Sequence, residues 1–184
     1  KSGILPKYKS VRVEDFISGS DKNIKINLFE CTLSSRSRSG SNSHAKNKTV
    51  FQGLFINLKM NKKFTGHTVI KSDKGLAINW VRKKINSNME NVRLEDKNFE
   101  KIFEVYSTNP SEANSILTEN FTKQLLEFKD LFKGGKGEMQ ASFYDNNMLF
   151  MIPTDKKFEL GSIKKPVNFH TEINRILREM TIIL

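Results

Sequence analysis

The sequence predicts an α+β fold: a largely antiparallel sheet centred on Thr49 to Ile70, packed against helices near 110–132 and 167–184. Three observations carry that expectation. In Val50 to Ile70, VFQGLFINLKMNKKFTGHTVI, Val50, Leu54, Ile56, Leu58 and Met60 share one face of an extended chain while Phe51 and Phe55 load the other, as in a strand covered on both sides. Asn109-Pro110-Ser111-Glu112 has the form of a helix start: Asn caps, Pro takes the first helical position where its missing N–H costs nothing, and Glu closes an N-x-x-E box. After Pro166, Phe169, Ile173, Ile176, Leu177 and Met180 form an apolar stripe at helical spacing.

Taken in order, Ser10 to Ile17 reads as a short strand, Val11 and Val13 alternating with Arg12 and Glu14, and Ser18 to Asp21 as a turn. In Ile24 to Leu33 the apolar set changes parity, from Ile24, Ile26 and Leu28 to Phe29, Cys31 and Leu33, so a bulge or bend near Leu28 is expected. Residues 34–48, SSRSRSGSNSHAKNK, have nothing to bury and read as a mobile basic loop. Two strands follow, joined at Asn61, Lys62 and Lys63 as the central pair of the sheet. Leu76, Trp80, Val81 and Ile85 then fall on one helical stripe with Arg82, Lys83 and Lys84 on its rim. Val92 and Leu94 alternate as a brief strand, and Phe99 to Tyr106 as another. Beyond the helix opened at Asn109, Thr118 caps a second one, with Phe121, Leu125, Phe128 and Phe132 at spacings of three and four, ending at Gly134-Gly135. Met139 to Phe143 and Met148 to Ile152 flank Asp145-Asn146-Asn147 as a hairpin.

The 14 phenylalanines and a 37% hydrophobic share are enough for one aromatic-rich core, so residues 1–184 read as a single soluble domain. Cys31 is the only cysteine, which excludes an internal disulfide, a thiolate zinc site and a CxxC redox pair. No apolar run approaches the roughly 18 residues of a membrane span. The chain begins at Lys1 and ends on the apolar Thr181-Ile182-Ile183-Leu184; it is expected to be the C-terminal part of a longer, membrane-anchored protein.

The net charge of +11 is unevenly spread, with 15 Lys and Arg against 5 Asp and Glu in residues 1–75, and 16 against 15 in the remainder. Between Glu30 and Asp73 there is no acidic residue. Arg36, Arg38, Lys46, Lys48, Lys59, Lys62, Lys63 and Lys71 lie in that window and make the candidate basic surface.

Catalytic and cofactor patterns do not accumulate. His44, His67 and His170 match no metal-ligand spacing, and no metal or cofactor is expected. A phosphate loop follows a strand and opens a helix, whereas Gly134-Gly135-Lys136-Gly137 closes one. Glu95-Asp96 and the pair Glu100 and Glu104 sit on the solvent side of expected strands with nothing convergent beside them.

One resemblance extends the reading. Phe99 to Phe121, FEKIFEVYSTNPSEANSILTENF, with Val92-x-Leu94-Glu95 upstream and Phe51-x-Gly53-x-Phe55 and Phe64-x-Gly66 further back, resembles the bacterial domain-of-unknown-function family numbered 3137, from about Lys7 to the end. Phe103, Val105, Ser107, Glu112, Ala113, Leu117 and Thr118 carry the shared elements. Family membership implies a membrane-associated protein with hydrophobic segments ahead of this domain, and it offers no catalytic residue to carry over. This chain departs from the family pattern in the long Ser- and Arg-rich loop after Leu33 and in Asn120, where a proline is expected.

The function expected is therefore a non-enzymatic module near the cytoplasmic face of a bacterial inner membrane. Its basic surface would bind anionic lipid or an acidic protein partner. An enzyme or ligand-binding domain with a cleft hidden from the sequence is the alternative. A nucleic-acid binder, with affinity falling steeply in salt, is the third reading.

Overall fold

The computed structural model describes residues 2–21, 24–37, 46–72, 88–132 and 134–155. Eight strands form one sheet: β1 (Ser10–Asp21), β2 (Ile24–Ser37), β3 (Lys46–Lys59), β4 (Thr68–Ser72), β5 (Glu90–Val92), β6 (Phe103–Ser107), β7 (Gln140–Tyr144) and β8 (Asn147–Pro153). Their order is β1-β2-β3-β8-β7-β4-β6-β5, every neighbouring pair antiparallel. The helices are α1 (Lys97–Glu100), α2 (Pro110–Ile116) and α3 (Glu119–Leu131).

The expected α+β balance is corrected. Strands hold 51% of the described residues and helices 19%, so the described residues form one antiparallel sheet with a few short helices. The cause lies in β1, β2 and β3, of 12, 14 and 14 residues, whose polar ends go on pairing beyond the apolar pattern. Ser34 to Ser37 pair with Thr49 to Lys46, so both ends of the supposed 34–48 loop are ladder, and only 38–45 fall outside the described residues. The helices expected over 76–85 and 167–184 also lie outside them.

The central pair is corrected too. β3 and β4 are not neighbours, because β8 and β7 lie between them. The chain leaving β3 crosses the β7–β8 turn, where the Met60 N–H donates to the Asn146 carbonyl and the Phe64 N–H to that of Asp145. Asp145 takes a positive φ of 51° to make that turn.

Both faces of the sheet are covered, as the alternation in β3 predicts. Leu54, Ile56, Leu58 and Met60 join one core with Leu28, Ile70, Phe143 and Phe150, to which Phe121, Leu125 and Phe128 of α3 belong. Phe51 and Phe55 join a second with Cys31, Leu33, Val69, Tyr106, Met151 and Ile4. The parity change in β2 therefore needs no bulge at Leu28: Ile24 and Leu28 serve the first core, and Cys31 and Leu33 the second. The irregularities fall between Val13 and Phe16 of β1, and between Leu33 and Ser34, where Val50 is the extra residue of β3.

Two shorter expectations also shift. Residues 99–106 begin as helix, because the Asp96 carboxylate accepts from the Asn98 and Phe99 N–H groups and caps α1 before β6 starts at Phe103. Gly134 and Gly135 follow α3 with positive φ, and Gly135 also lies where a Cβ would meet the Thr154 nitrogen at 2.3 Å and the Gln52 carbonyl at 2.6 Å. That approach lets Lys136 bridge to Gln52 of β3.

Candidate functional site

The long β2–β3 ladder decides where the basic residues go, and it separates them. Arg36 and Lys48 sit at one end, where Ser35 pairs with Lys48 and Arg36 with Asn47, and the side chains of both cations are exposed. Lys46 pairs with Ser37 at the same end. Lys59 lies opposite Lys25 at the other end, and the exposed Lys62 and Lys63 follow it. Eleven residues of β2 part the two groups, about 36 Å at the rise of an extended strand. Lys71 stands apart in β4, half-buried, and Arg38 lies outside the described residues. The window thus makes two basic ends rather than one surface.

The Arg36–Lys48 end gains two cations that the window omitted. The Lys9 N–H donates to the Ser34 carbonyl at 2.8 Å, which lays Lys7, Tyr8 and Lys9 alongside the end of β2, all three exposed. The segments that meet there, 7–10, 34–37 and 46–52, contain no Asp or Glu. At the opposite end Asp145 lies on the β7–β8 turn that the chain crosses after Lys59. The charge count in those short segments already held this distinction; the pairing of 9 with 34 supplied what sequence lacked.

The same corner runs into an exposed apolar edge. Val11 and Val13 stand opposite Leu33 and Cys31, and after the irregularity Phe16 stands opposite Phe29, so all three belong to one face. They remain 53%, 52% and 63% exposed although Leu33 and Cys31 are core and Phe29 packs against it. Alternation in β1 signalled a strand but not which side of it is covered.

Among the described residues, several groups with catalytic potential are engaged elsewhere. Burial, then the charge of Glu30, pushes the Cys31 thiol up to about 12, so it keeps its proton at neutral pH. His67 Nε2 lies 2.9 Å from Ser142 Oγ, but the Ser142 hydroxyl donates to the Ser2 carbonyl at 2.8 Å. The ring must then donate to Ser142, the reverse of activating it as a nucleophile. Burial holds the His67 pKa below its ordinary value, against a raising contribution from the Ser2 backbone. His44 and His170 lie outside the described residues. A cavity of about 410 Å³ between residues 93–96 and the α2–α3 junction is lined by Arg93, Glu95, Asp96, Asn114, Thr118 and Glu119. There burial raises the Asp96 pKa, but bonds from the Phe99 N–H, the Thr122 hydroxyl and the Asn98 N–H outweigh it and hold it low. That carboxylate is a cap. Glu104 accepts from the Tyr106 hydroxyl at 2.7 Å, and Glu100 from the Leu94 N–H at 2.9 Å. Among the described residues no three His, Cys, Asp or Glu side chains gather to hold a metal, and no helix is long and apolar enough to cross a membrane.

Three of the residues quoted for the family resemblance, Gly66, Ser107 and Glu112, meet in a hydrogen-bonded knot with Asn109. Glu112 accepts from the Thr65 and Gly66 N–H groups, both at 2.7 Å, and Asn109 Oδ1 accepts from the Glu112 N–H. Asn109 therefore caps α2 as expected, while Glu112 reaches across to the 61–67 connection instead of closing the box. The Ser107 hydroxyl meets Thr68 Oγ1 at 2.9 Å and donates to the Asn109 carbonyl at 3.0 Å. These positions hold the framework together.

Sheet, helices and basic corner make an antiparallel-sheet domain with exposed cations at one corner. The chain belongs to the family described as protein of unknown function (DUF3137), whose model matches residues 49–184 and so begins at β3, not at Lys7. Arg36, Arg38, Lys46 and Lys48 precede the match, and Lys59, Lys62, Lys63 and Lys71 fall within it. Among solved structures the chain is similar to the mycobacterial trehalose monomycolate transport factor A, TtfA, with a TM-score of 0.52 and 13% identity over 96% of this chain and 74% of that one. At that identity the likeness is one of fold, and it includes β1 and β2. No curated protein matches.

Proposed function

We propose that this domain is a non-enzymatic module that docks on an anionic lipid surface at the cytoplasmic face of a bacterial inner membrane, using Lys7, Lys9, Arg36 and Lys48 as its contact. The observation that carries this reading is the grouping of four exposed cations from three chain segments at a corner whose segments lack any carboxylate. Each cation close to the headgroups contributes about 1 kcal/mol, and Tyr8 beside them has the amphipathic ring favoured at that depth. The fold likeness to a protein named for the transport of trehalose monomycolate agrees with a lipid-related role.

Vesicle co-sedimentation tests it. Anionic vesicles should pull down the protein and neutral ones should not. Reversing the corner with Lys9→Glu, Arg36→Glu and Lys48→Glu should abolish binding, whereas Lys59→Glu, Lys62→Glu and Lys63→Glu at the other end should leave most of it. Equal binding to both vesicle types, or indifference to the corner reversal, overturns the proposal. Binding of the protein to an acidic polypeptide but not to vesicles would replace lipid by a protein partner.

A further inference from the structure

The exposed large apolar side chains among the described residues are Tyr8, Val11, Val13, Phe16 and Ile17, all within one stretch of ten residues. Val11, Val13 and Phe16 share a face, and Phe16 reaches it only because the strand is irregular. In a regular strand, residues three apart point to opposite faces. The extra residue between Val13 and Phe16 turns Phe16 back to stand opposite Phe29, as irregularities of this kind re-aim a side chain.

Charge divides between the two faces of β1. Glu14 pairs with Arg12, which stands opposite Thr32, and Asp21 stands opposite Ile24 of the first core, so these groups belong to the other face. Asp15, inside the irregularity, is half-buried. On the apolar face the neighbouring charge is positive. Lys48 stands opposite Ser35, two residues beyond Leu33 in β2, and so shares the face of Val11 and Val13. The exposed Lys9 directly precedes the strand. Beyond Phe16 the same face of β1 carries only Ser18 and Ser20, opposite Asn27 and Lys25, so the apolar row ends there.

We propose that Val11, Val13 and Phe16 enter the bilayer beneath the headgroups when the basic corner docks, an inference that rests on the lipid reading above. An anionic bilayer supplies both layers that this face matches: negative charge for Lys9 and Lys48, and acyl chains for the apolar row beside them. Such binding grows with the apolar area buried as well as with charge, and fluid chains receive a row of side chains without a shaped groove. A peptide added to the outer edge of β1 would bond its backbone and leave this face uncovered.

Fluorescence tests the insertion directly. The chain has a single tryptophan, Trp80, so the parent protein gives the baseline for Phe16→Trp, a substitution at a position 63% exposed. With anionic phosphatidylglycerol vesicles whose acyl chains carry bromine, Phe16→Trp should show a blue shift and quenching beyond that of the parent. The neutral change Val13→Ser with Phe16→Ser should weaken co-sedimentation with unbrominated anionic vesicles about tenfold, with the thermal melt unchanged. Binding that needs Lys9, Arg36 and Lys48 but shows neither the added quenching nor the weakening would leave the docking reading standing and overturn the insertion. Absence of binding to anionic vesicles would overturn both.

Discussion

His67 shows how one side chain ties the start of the chain to the sheet. Its ring holds Ser142, Ser142 holds the Ser2 carbonyl, and Ser2 and Ile4 are buried beyond it. Burial depresses the His67 pKa below its ordinary 6.5, so the folded state favours the neutral ring. As pH falls through about 6.5 the unfolded chain takes up a proton that the folded chain accepts only at lower pH, and stability is lost in that window. Urea titrations at neutral pH and at about pH 5.5 should show this loss. In His67→Gln, which keeps a donor for Ser142, the difference between the two conditions should shrink; an unchanged difference would assign it to the carboxylates.

At the scale of elements, the knot between α2 and the 61–67 connection makes a graded prediction. Asn109→Ala removes a helix cap and should cost about 1 kcal/mol. Glu112→Ala leaves the Thr65 and Gly66 N–H groups without their charged acceptor and should cost about 2 kcal/mol or more, with Glu112→Gln between the two. Thermal melts ranking Asn109→Ala as the more harmful would show that capping, not the bridge, dominates. The cap was legible in the sequence because Asn-Pro-x-Glu acts within four residues, and so were the apolar stripe of α3 and the two loaded faces of β3. The long-range use of Glu112 was not, since nothing local to 109–112 points to residues 65 and 66. Strand order was hidden for the same reason: the insertion of β8 and β7 between β3 and β4 depends on backbone bonds from Met60 and Phe64 to a turn more than 80 residues on. The basic site was half legible. Charge counting found Arg36 and Lys48, but only the ladder shows them about 36 Å from Lys59 and beside Lys9.

For the whole molecule, the second core is the part at risk. Phe51, Phe55, Val69 and Met151 are covered by Ile4, Cys31 and Leu33, and the Phe29 ring stacks on Phe55 with centroids 5.2 Å apart. Residues 49–184, the stretch that the family model matches, lack every one of those covering side chains. Expressed alone, that segment should bind a hydrophobic dye, aggregate and lose its sharp thermal transition. A soluble, cooperatively melting 49–184 would show that β1 and β2 are an attachment rather than part of the fold. The same topology sets a timetable for biosynthesis. Asn57 of β3 meets Asn147 of β8 across a sequence separation of 90 residues, so the first three strands leave the ribosome as a meander whose last strand is paired on one side only. Until β8 emerges that rim is open to any passing strand, and the nascent chain is exposed to mispairing along it.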